Sequence, residues 1–260
     1  MKTAFITLSR EGSQLIPHFK REFGEIDCYL HETVAAVGNS QSFAHISELT
    51  HDIFPLYRAL IYAAPCGVVV RSLAGCVASK LTDPAVVALD VGARWAVSLL
   101  GGHEGGANDL ALRIANLFDA EAIVTTTTEA VKKLIVGLGC RRGIACNRIV
   151  DAVEQALARV DMPLSSVRLL ASASVKSDEA GLLEAAAQLK LPLRFISMEQ
   201  IRQCPYAISQ SDFVQKSVGV PAVAEPVALL AGRRTTLLLP KTIFSSVTVA
   251  IARENCTSLE

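Results

Sequence analysis

Short β-rich runs alternate with amphipathic helical patterns along most of this chain. In the second half, the run "LIVGLG" precedes a helical pattern over 147–160, and the run "VRLLASASV" precedes another in "SDEAGLLEAAAQLK". Strands that are regularly followed by helices are typical of α/β proteins, in which helices cover both faces of a mainly parallel sheet. The alternation therefore predicts an α/β fold with three layers.

This alternation restarts once, which predicts two domains. A charged junction, Glu129 to Lys133, separates the predicted strand "EAIVTTTT" (121–128) from the next apolar strand. A chain of 260 residues can form two domains that each bury a core. We place two α/β domains at 1–130 and 131–258. "AVVALD" and "WAVSLL" predict a hairpin in the first domain, "TTLLLP" and "SVTVAIAR" predict an edge hairpin in the second, and residues 1–62 are assigned one strand and helices.

Charge balance and the length of the apolar runs exclude several classes of function. The chain has 25 basic and 25 acidic residues, so no overall field attracts nucleic acid or an anionic membrane surface. The apolar runs over 59–70 and 223–231 are shorter than the ~20 residues of a membrane span. Because the sequence begins without a signal-peptide pattern, we expect a cytoplasmic protein that contacts neither nucleic acid nor a membrane.

Cysteine and histidine spacing gives no sign of a metal site or a disulfide framework. The seven cysteines include no Cys-x-x-Cys pair, and none of the four N-terminal histidines stands four residues from another. We therefore predict reduced cysteines and no metal bound by protein side chains.

Three loops are candidates for ligand binding, because ligands of open α/β sheets bind beyond the carboxyl ends of the strands. The first, residues 101–108 in "LLGGHEGGANDL", has four glycines that permit positive φ and close approach to a ligand, and Asn108 is a predicted helix N-cap. His103 could act as a general acid or base near neutral pH. A strand-to-helix turn that merely needs glycine explains the same pattern equally well.

The other two loops belong to the second domain. "GLGCRRG" exposes backbone amides together with Arg141 and Arg142, which could hold carboxylates, although a solvated basic turn fits as well. Cys140 has no histidine nearby in sequence, which favours an unreactive thiol over a nucleophile. In "ASASVKSDEAG", Lys176 could pair with a substrate carboxylate, whereas Glu179 also suits the first turn of a helix as a partner of its dipole.

Taken together, these sequence motifs resemble those of the CbiG family, the cobalt-precorrin-5A hydrolases of anaerobic cobalamin biosynthesis. Residues 63–128 resemble its N-terminal domain through Val70-Arg71, Lys80, "TDP", "LL", "GH", "GGAN" and the Thr-rich run. "VGLGCRRG", "ASASVKSDEAGLLEAA", "SDFV" and "VGVPAVAEPVALLAG" resemble its C-terminal domain, which also occurs alone in CobE-like proteins. Gly101 replaces a usual serine, "TTTTE" replaces the usual "TTATD", and the middle region of longer members has no room here.

The resemblance implies a hydrolase that opens the δ-lactone of cobalt-precorrin-5A and releases acetaldehyde, which leaves cobalt-precorrin-5B. It implies no cofactor, because the substrate carries the cobalt. Neighbouring enzymes of the pathway are candidate partners, and a homodimer is one open arrangement. A tetrapyrrole carrier without catalytic activity is the alternative. A nucleotide-binding protein fits less well, since the chain has neither a P-loop nor a dinucleotide fingerprint.

On this interpretation, His103 and Glu179 are the candidate acid–base residues, and the amides of Gly105 and Gly106 are candidate oxyanion donors. The other predicted contacts with the substrate comprise cations for its carboxylates and residues of the two motif-bearing loops. They are Arg71, Lys80, Asp83, Gly102, Asn108, Gly139, Cys140, Arg141 and Lys176.

Overall fold

The computed structural model describes residues 2–206 and 223–256. It divides into two compact units, residues 1–126 and 127–260, so the division lies slightly before the predicted boundary at 130/131. Within the described residues, no helix combines the length and the hydropathy that a membrane crossing needs.

The first unit is a seven-stranded sheet with helices on both faces, in the order β3-β2-β1-β4-β5-β6-β7. Its strands are β1 Thr3–Thr7, β2 Asp27–His31, β3 Gln41–Phe43, β4 Ala59–Ala63, β5 Ala85–Leu89, β6 Trp95–Leu100 and β7 Glu121–Ile123. Its helices are α1 Arg10–Ser13, α2 Ile16–Phe23, α3 Ile46–Ile53, α4 Cys66–Ser72 and α5 Ala107–Phe118. One apolar core joins the sheet to α2 and α5, and another joins the opposite face to α3 and α4.

Residues 1–62 hold three more strands than the sequence predicted. β4, "ALIYA", is buried along its whole length, because both faces of the sheet are covered. Such a strand shows no alternation of apolar and polar residues, so periodicity alone does not separate it from a helix. β2 and β3 complete the edge of the sheet beside β1.

The predicted hairpin of β5 and β6 is confirmed, and it reverses the direction of the sheet. β1 to β5 pair as parallel strands, whereas β6 is antiparallel to β5, with Val86 opposite Leu100. The end of β6 therefore lies at the edge where the parallel strands begin. Loop 101–108 extends from this amino edge, so its predicted position at the carboxyl edge of the parallel strands is wrong.

The predicted strand over 121–128 is shorter than expected. β7 ends at Ile123, and Thr127–Ala130 forms a short helix, α6. After Ile123 the chain no longer pairs with β6. Thr126 is instead linked to Ser98 of β6 through the Asn108 side chain, by hydrogen bonds of 3.0 and 2.8 Å. The strand preference of threonine depends on its packing context, so the Thr-rich sequence overstated the length.

The second unit is a five-stranded sheet in the order β10-β9-β8-β12-β11. Its strands are β8 Leu134–Gly139, β9 Val167–Ala173, β10 Leu193–Ile196, β11 Thr235–Phe244 and β12 Val247–Glu254. Besides α6, its helices are α7 Cys146–Arg159, α8 Ala180–Leu189, α9 Met198–Arg202 and α10 Ala224–Leu230. α7 and α8 pack on one face, and α9 and α10 pack on the other.

Strand directions in the second unit agree with the sequence analysis. β8, β9 and β10 are parallel, so the loops over 140–145 and 174–179 both extend from the carboxyl edge. The predicted hairpin of β11 and β12 is confirmed. Of its two strands, β11 lies at the edge of the sheet, whereas β12 also pairs with β8. "SDFV" and "VGVPA" lie within 207–222, outside the described residues.

Candidate functional site

Two loops of the first unit meet at the amino edge of its sheet. Loop 73–84 leads into β5, and loop 101–108 leaves β6 beside it. Lys80 Nζ lies 3.0 Å from Glu104 Oε1, and this hydrogen bond holds the pKa of the Glu104 carboxyl below its usual range. The pair brings a predicted substrate-binding cation next to the loop that carries His103.

The four glycines of loop 101–108 let it fold tightly on itself. Gly101 and Gly106 have φ of +71° and +85°, a region that favours glycine. The Ala107 amide donates to Gly101 O at 3.1 Å, and the Asn108 amide donates to Gly102 O at 3.0 Å. A Cβ on Gly105 would lie only 2.7 Å from Gly101 O. The glycines thus have a structural role whether or not the loop binds a ligand.

Asn108 does not cap the following helix, contrary to the prediction. Gly106 occupies the N-cap position, and Asn108 is the second residue of α5. Its side-chain oxygen accepts a hydrogen bond from Ser98 Oγ, and its Nδ2 donates to Thr126 Oγ1. Asn108 therefore fixes the loop to β6 and to the segment after β7, and its predicted contact with the substrate stays a prediction.

His103 and the two glycine amides are the groups of this loop that remain available for chemistry. The His103 side chain is exposed, and no hydrogen bond to its ring is found among residues 2–206 and 223–256. Within the same residues, the amides of Gly105 and Gly106 have no protein acceptor. The loop thus has one exposed imidazole, and its two candidate oxyanion donors are not used by another group among the described residues.

Asp83 and Arg71 have contacts within the protein. Asp83 is buried, and its carboxylate accepts hydrogen bonds of 3.0 and 3.1 Å from the amides of Ala78 and Ser79, which stabilises loop 73–84. Arg71 lies on the exposed surface of α4 and donates to Gly67 O at 2.9 Å. Asp83 is therefore a structural residue of the loop, whereas the guanidinium of Arg71 faces solvent.

An apolar surface beside these loops was not predicted. Val70, Leu73, Ala74, Gly75, Val77, Leu99 and Leu100 line an open groove of about 280 Å³, hereafter the apolar groove. Val77 stays about half exposed in the structure, although nothing in the local sequence separates it from the other apolar residues of loop 73–84. Its position next to Leu99 and Leu100 depends on the pairing of β5 with β6, which the local sequence does not reveal.

In the second unit, Glu179 links the two loops at the carboxyl edge. Its side chain is buried, with Oε1 accepting the Gly143 amide at 2.8 Å and Oε2 lying 3.6 Å from Lys176 Nζ. Arg142 adds a second link, because it donates to both carboxylate oxygens of Asp178 at 3.0 Å. Both oxygens of Glu179 thus have partners, and its acid–base role stays a prediction.

The remaining predicted residues of this edge surround Glu179. Lys176 is largely buried against Glu179, so a substrate carboxylate would compete with an internal one. Burial raises the pKa of the Cys140 thiol, which agrees with an unreactive cysteine. Arg141 is exposed on the same loop, and a Cβ on Gly139 would meet no atom closer than 3.6 Å. Packing at that position therefore does not require glycine.

The described residues contain no group of three or more His, Cys, Asp or Glu side chains that could hold a metal ion. His103 belongs to the first unit and Glu179 to the second.

Comparison with protein families identifies the chain. The family model "Cobalamin synthesis G N-terminal" matches residues 48–129, and "Cobalamin synthesis G C-terminus" matches residues 134–252. The chain belongs to the CbiG family. The two matches leave only residues 130–133 between them, as expected for a CbiG chain without a middle region.

Two curated relatives and one solved structure illustrate the similarity. A "Cobalt-precorrin-5A hydrolase" from Priestia megaterium is 23% identical, over 96% of this chain and 94% of that protein. "Protein CobE" from Sinorhizobium sp is 30% identical, over 48% of this chain and 83% of that protein. The crystal structure of CobE, "a protein from the cobalamin (vitamin B12) biosynthetic pathway", is 32% identical over 47% of this chain and 90% of that one, with a TM-score of 0.44.

The alignment with the Priestia protein is 353 positions long, whereas this chain has 260 residues. That relative therefore contains residues which this CbiG chain lacks. The resemblance stated from the sequence is confirmed at the level of the family and of both of its domains.

Proposed function

We propose that the chain is a cobalt-precorrin-5A hydrolase of anaerobic cobalamin biosynthesis. The similarity to the Priestia megaterium hydrolase, which extends over nearly all of both chains, carries this proposal. The reaction opens the δ-lactone of cobalt-precorrin-5A, releases a two-carbon fragment as acetaldehyde and leaves cobalt-precorrin-5B.

Loop 101–108 has the groups that lactone opening requires. Water must lose a proton as it attacks the lactone carbonyl, and His103 is the exposed base that can accept it. The carbonyl oxygen gains negative charge in this step, and the amides of Gly105 and Gly106 are donors without a protein acceptor among the described residues. The products of this step are a carboxylate and a free hydroxyl group.

Release of acetaldehyde then requires one proton to leave the hydroxyl group and one to reach the macrocycle. The freed hydroxyl loses its proton to solvent water and becomes the aldehyde carbonyl, while the bond between its carbon and the macrocycle breaks. The macrocycle retains the electron pair and takes up a proton. A protonated His103 can return the proton that it accepted in the first step, so one imidazole can serve both steps.

Exposed cations supply the attraction for the substrate's carboxylates. Lys80 is paired with Glu104, but both side chains are exposed, and an exposed ion pair contributes little. A substrate carboxylate can therefore replace Glu104 as the partner of Lys80. Arg71 and Arg141 are further exposed cations, each within its own unit.

Incubation with cobalt-precorrin-5A tests the proposal. Acetaldehyde is measured by its reduction with NADH and alcohol dehydrogenase, and the mass of the corrinoid product is measured in parallel. We expect one acetaldehyde per substrate consumed, together with the mass of cobalt-precorrin-5B. Tight binding of the substrate without acetaldehyde would reject the hydrolase and favour the tetrapyrrole carrier. Heat-denatured protein controls for spontaneous lactone opening.

A further inference from the structure

The apolar groove lies beside the loop that carries His103. Its lining residues carry no charge, and Leu100 at one end is followed directly by Gly101 of that loop. Three residues of extended chain span at most about 11 Å, so the Cα atom of His103 lies within that distance of the Cα atom of Leu100. A ligand that extends past the Leu100 end of the groove therefore lies close to the loop that carries the imidazole.

Exposed aliphatic side chains concentrate on this edge of the first unit. Val70 is 54% exposed, Val77 is 51% exposed and Leu81, in the same loop as Val77, is 75% exposed. Single exposed aliphatic residues are ordinary, whereas several on one surface mark a binding site. These side chains do not contribute to the buried core, because at least half of each stays in contact with solvent.

Charges near the groove indicate the kind of ligand. Arg71 is the residue after Val70 in α4, and Lys80 belongs to the loop that contains Val77, so the two elements that line the groove each also carry an exposed cation. The nearby carboxylates are engaged within the protein, since Asp83 accepts backbone amides and Glu104 pairs with Lys80. The surface suits a ligand that combines an apolar body with peripheral carboxylates.

We propose that the apolar groove binds one edge of the tetrapyrrole macrocycle and so directs the lactone toward loop 101–108. This assignment rests on the proposed function for the identity of the ligand. The groove volume of about 280 Å³ falls below the roughly 300–1,000 Å³ of pockets that enclose a ligand, so only part of the macrocycle enters it. The remaining part, with its carboxylates, lies outside, where Arg71 and Lys80 are exposed.

The test measures binding of cobalt-precorrin-5B, the proposed product, by calorimetric titration. The product retains the macrocycle but has no lactone to react. Val70→Asp and Val77→Asp each place a carboxylate on the groove, and we expect each to raise Kd at least about tenfold, since both oppose an apolar and anionic ligand. Val77→Thr nearly preserves the shape of valine and should raise Kd less.

Val131→Asp is the matched control. Val131 is 51% exposed, like Val77, but it belongs to the second unit. We expect Val131→Asp to bind the product as the wild type does. Circular dichroism and thermal unfolding establish that each variant is folded, and Val77→Thr keeps the test decisive if an aspartate variant unfolds.

Four results would overturn the assignment. An unchanged Kd in all three groove variants would overturn it. A loss of binding in Val131→Asp as large as that in the groove variants would also overturn it. If the wild type is a dimer and Val77→Asp is a monomer that still binds the product normally, the groove would be assigned to a second copy of the chain. Wild-type protein that neither binds the product nor releases acetaldehyde would reject both proposals.

Two further results distinguish the groove proposal from the proposed hydrolase reaction. Product binding that depends on Val70 and Val77, without acetaldehyde release by the wild type, would retain the groove and reject the hydrolase. Acetaldehyde release with unchanged KM in the groove variants would retain the hydrolase and reject the groove.

Discussion

His103 is the residue whose chemistry matters most for the proposed reaction. It is exposed within a loop whose backbone is fixed by hydrogen bonds from the Ala107 and Asn108 amides. A fixed backbone positions the imidazole without burying it. Because burial is slight, the ring can exchange protons with both water and substrate.

Replacement of His103 tests its role directly. We expect His103→Ala to lower kcat for acetaldehyde release by ~10²–10⁴-fold, the usual contribution of a general acid or base. Product binding should change little, because the groove and the flanking cations remain. His51→Ala, which removes another exposed histidine from α3, is the control. Near-normal turnover of His103→Ala would remove His103 from the mechanism.

Glu179 is the second candidate acid–base residue, and its contacts permit a decisive substitution. Glu179→Gln keeps an oxygen that can accept the Gly143 amide but loses the charge opposite Lys176. If Glu179 mainly links the two loops, as its contacts favour, kcat should fall less than about tenfold. An acid–base role would lower it by ~10²–10⁴-fold.

Glu179→Ala complements this measurement. It leaves the largely buried Lys176 and the Gly143 amide without their partner, which should destabilise the second unit by about 1–3 kcal/mol. Thermal unfolding of both variants measures this loss. Asp151→Ala, on the exposed face of α7, is the control.

At the scale of elements, the glycines of loop 101–108 decide how the chain folds after β6. The loop closes on itself because its glycines permit contacts that a side chain would prevent. Gly105 is the clearest case, since a Cβ there would lie 2.7 Å from Gly101 O and 3.0 Å from Gly101 Cα. Both neighbours are backbone atoms, so the clash cannot be relieved by rotating a side chain.

Gly105→Ala should therefore open the loop. We expect faster hydrogen exchange in the peptide over 99–110, a stability loss of about 1–3 kcal/mol and a lower kcat, because the candidate oxyanion donors move away from His103. Gly67→Ala is the matched control, since its Cβ would meet only the Arg71 side chain at 3.5 Å. Unchanged exchange in Gly105→Ala would contradict the tight loop geometry.

The accuracy of the sequence predictions at this scale followed the type of element. α7 was predicted closely because its apolar residues recur with helical spacing and are buried on one side. β4 was missed because it is buried on both faces, and β7 was predicted too long because pairing with β6 stops at Ile123 and Thr126 instead bonds to the Asn108 side chain. Asn108 was assigned to the helix cap because its hydrogen bonds to Ser98 and Thr126 involve distant residues.

At the scale of the whole molecule, each unit combines parallel strands with antiparallel pairing, once in the first unit and twice in the second. In the first unit the reversal at β6 places loop 101–108 at the amino edge of the parallel strands. In the second unit the antiparallel strand β12 leaves the loops after β8 and β9 at the carboxyl edge. The candidate loop of the first unit therefore lies at the amino edge of its parallel strands, whereas the candidate loops of the second unit lie at the carboxyl edge.

The sequence by itself determined the α/β class, the division near residue 130, the CbiG resemblance and the loops that carry candidate residues. These follow from local periodicity, glycine content and motif strings, which are properties of neighbouring residues. Only the tertiary structure decided that loop 101–108 meets loop 73–84, that Glu179 links two loops, and that Val70, Val77 and Leu100 form one groove. Strand direction and order decide those contacts, and they depend on pairing and packing between residues distant in sequence.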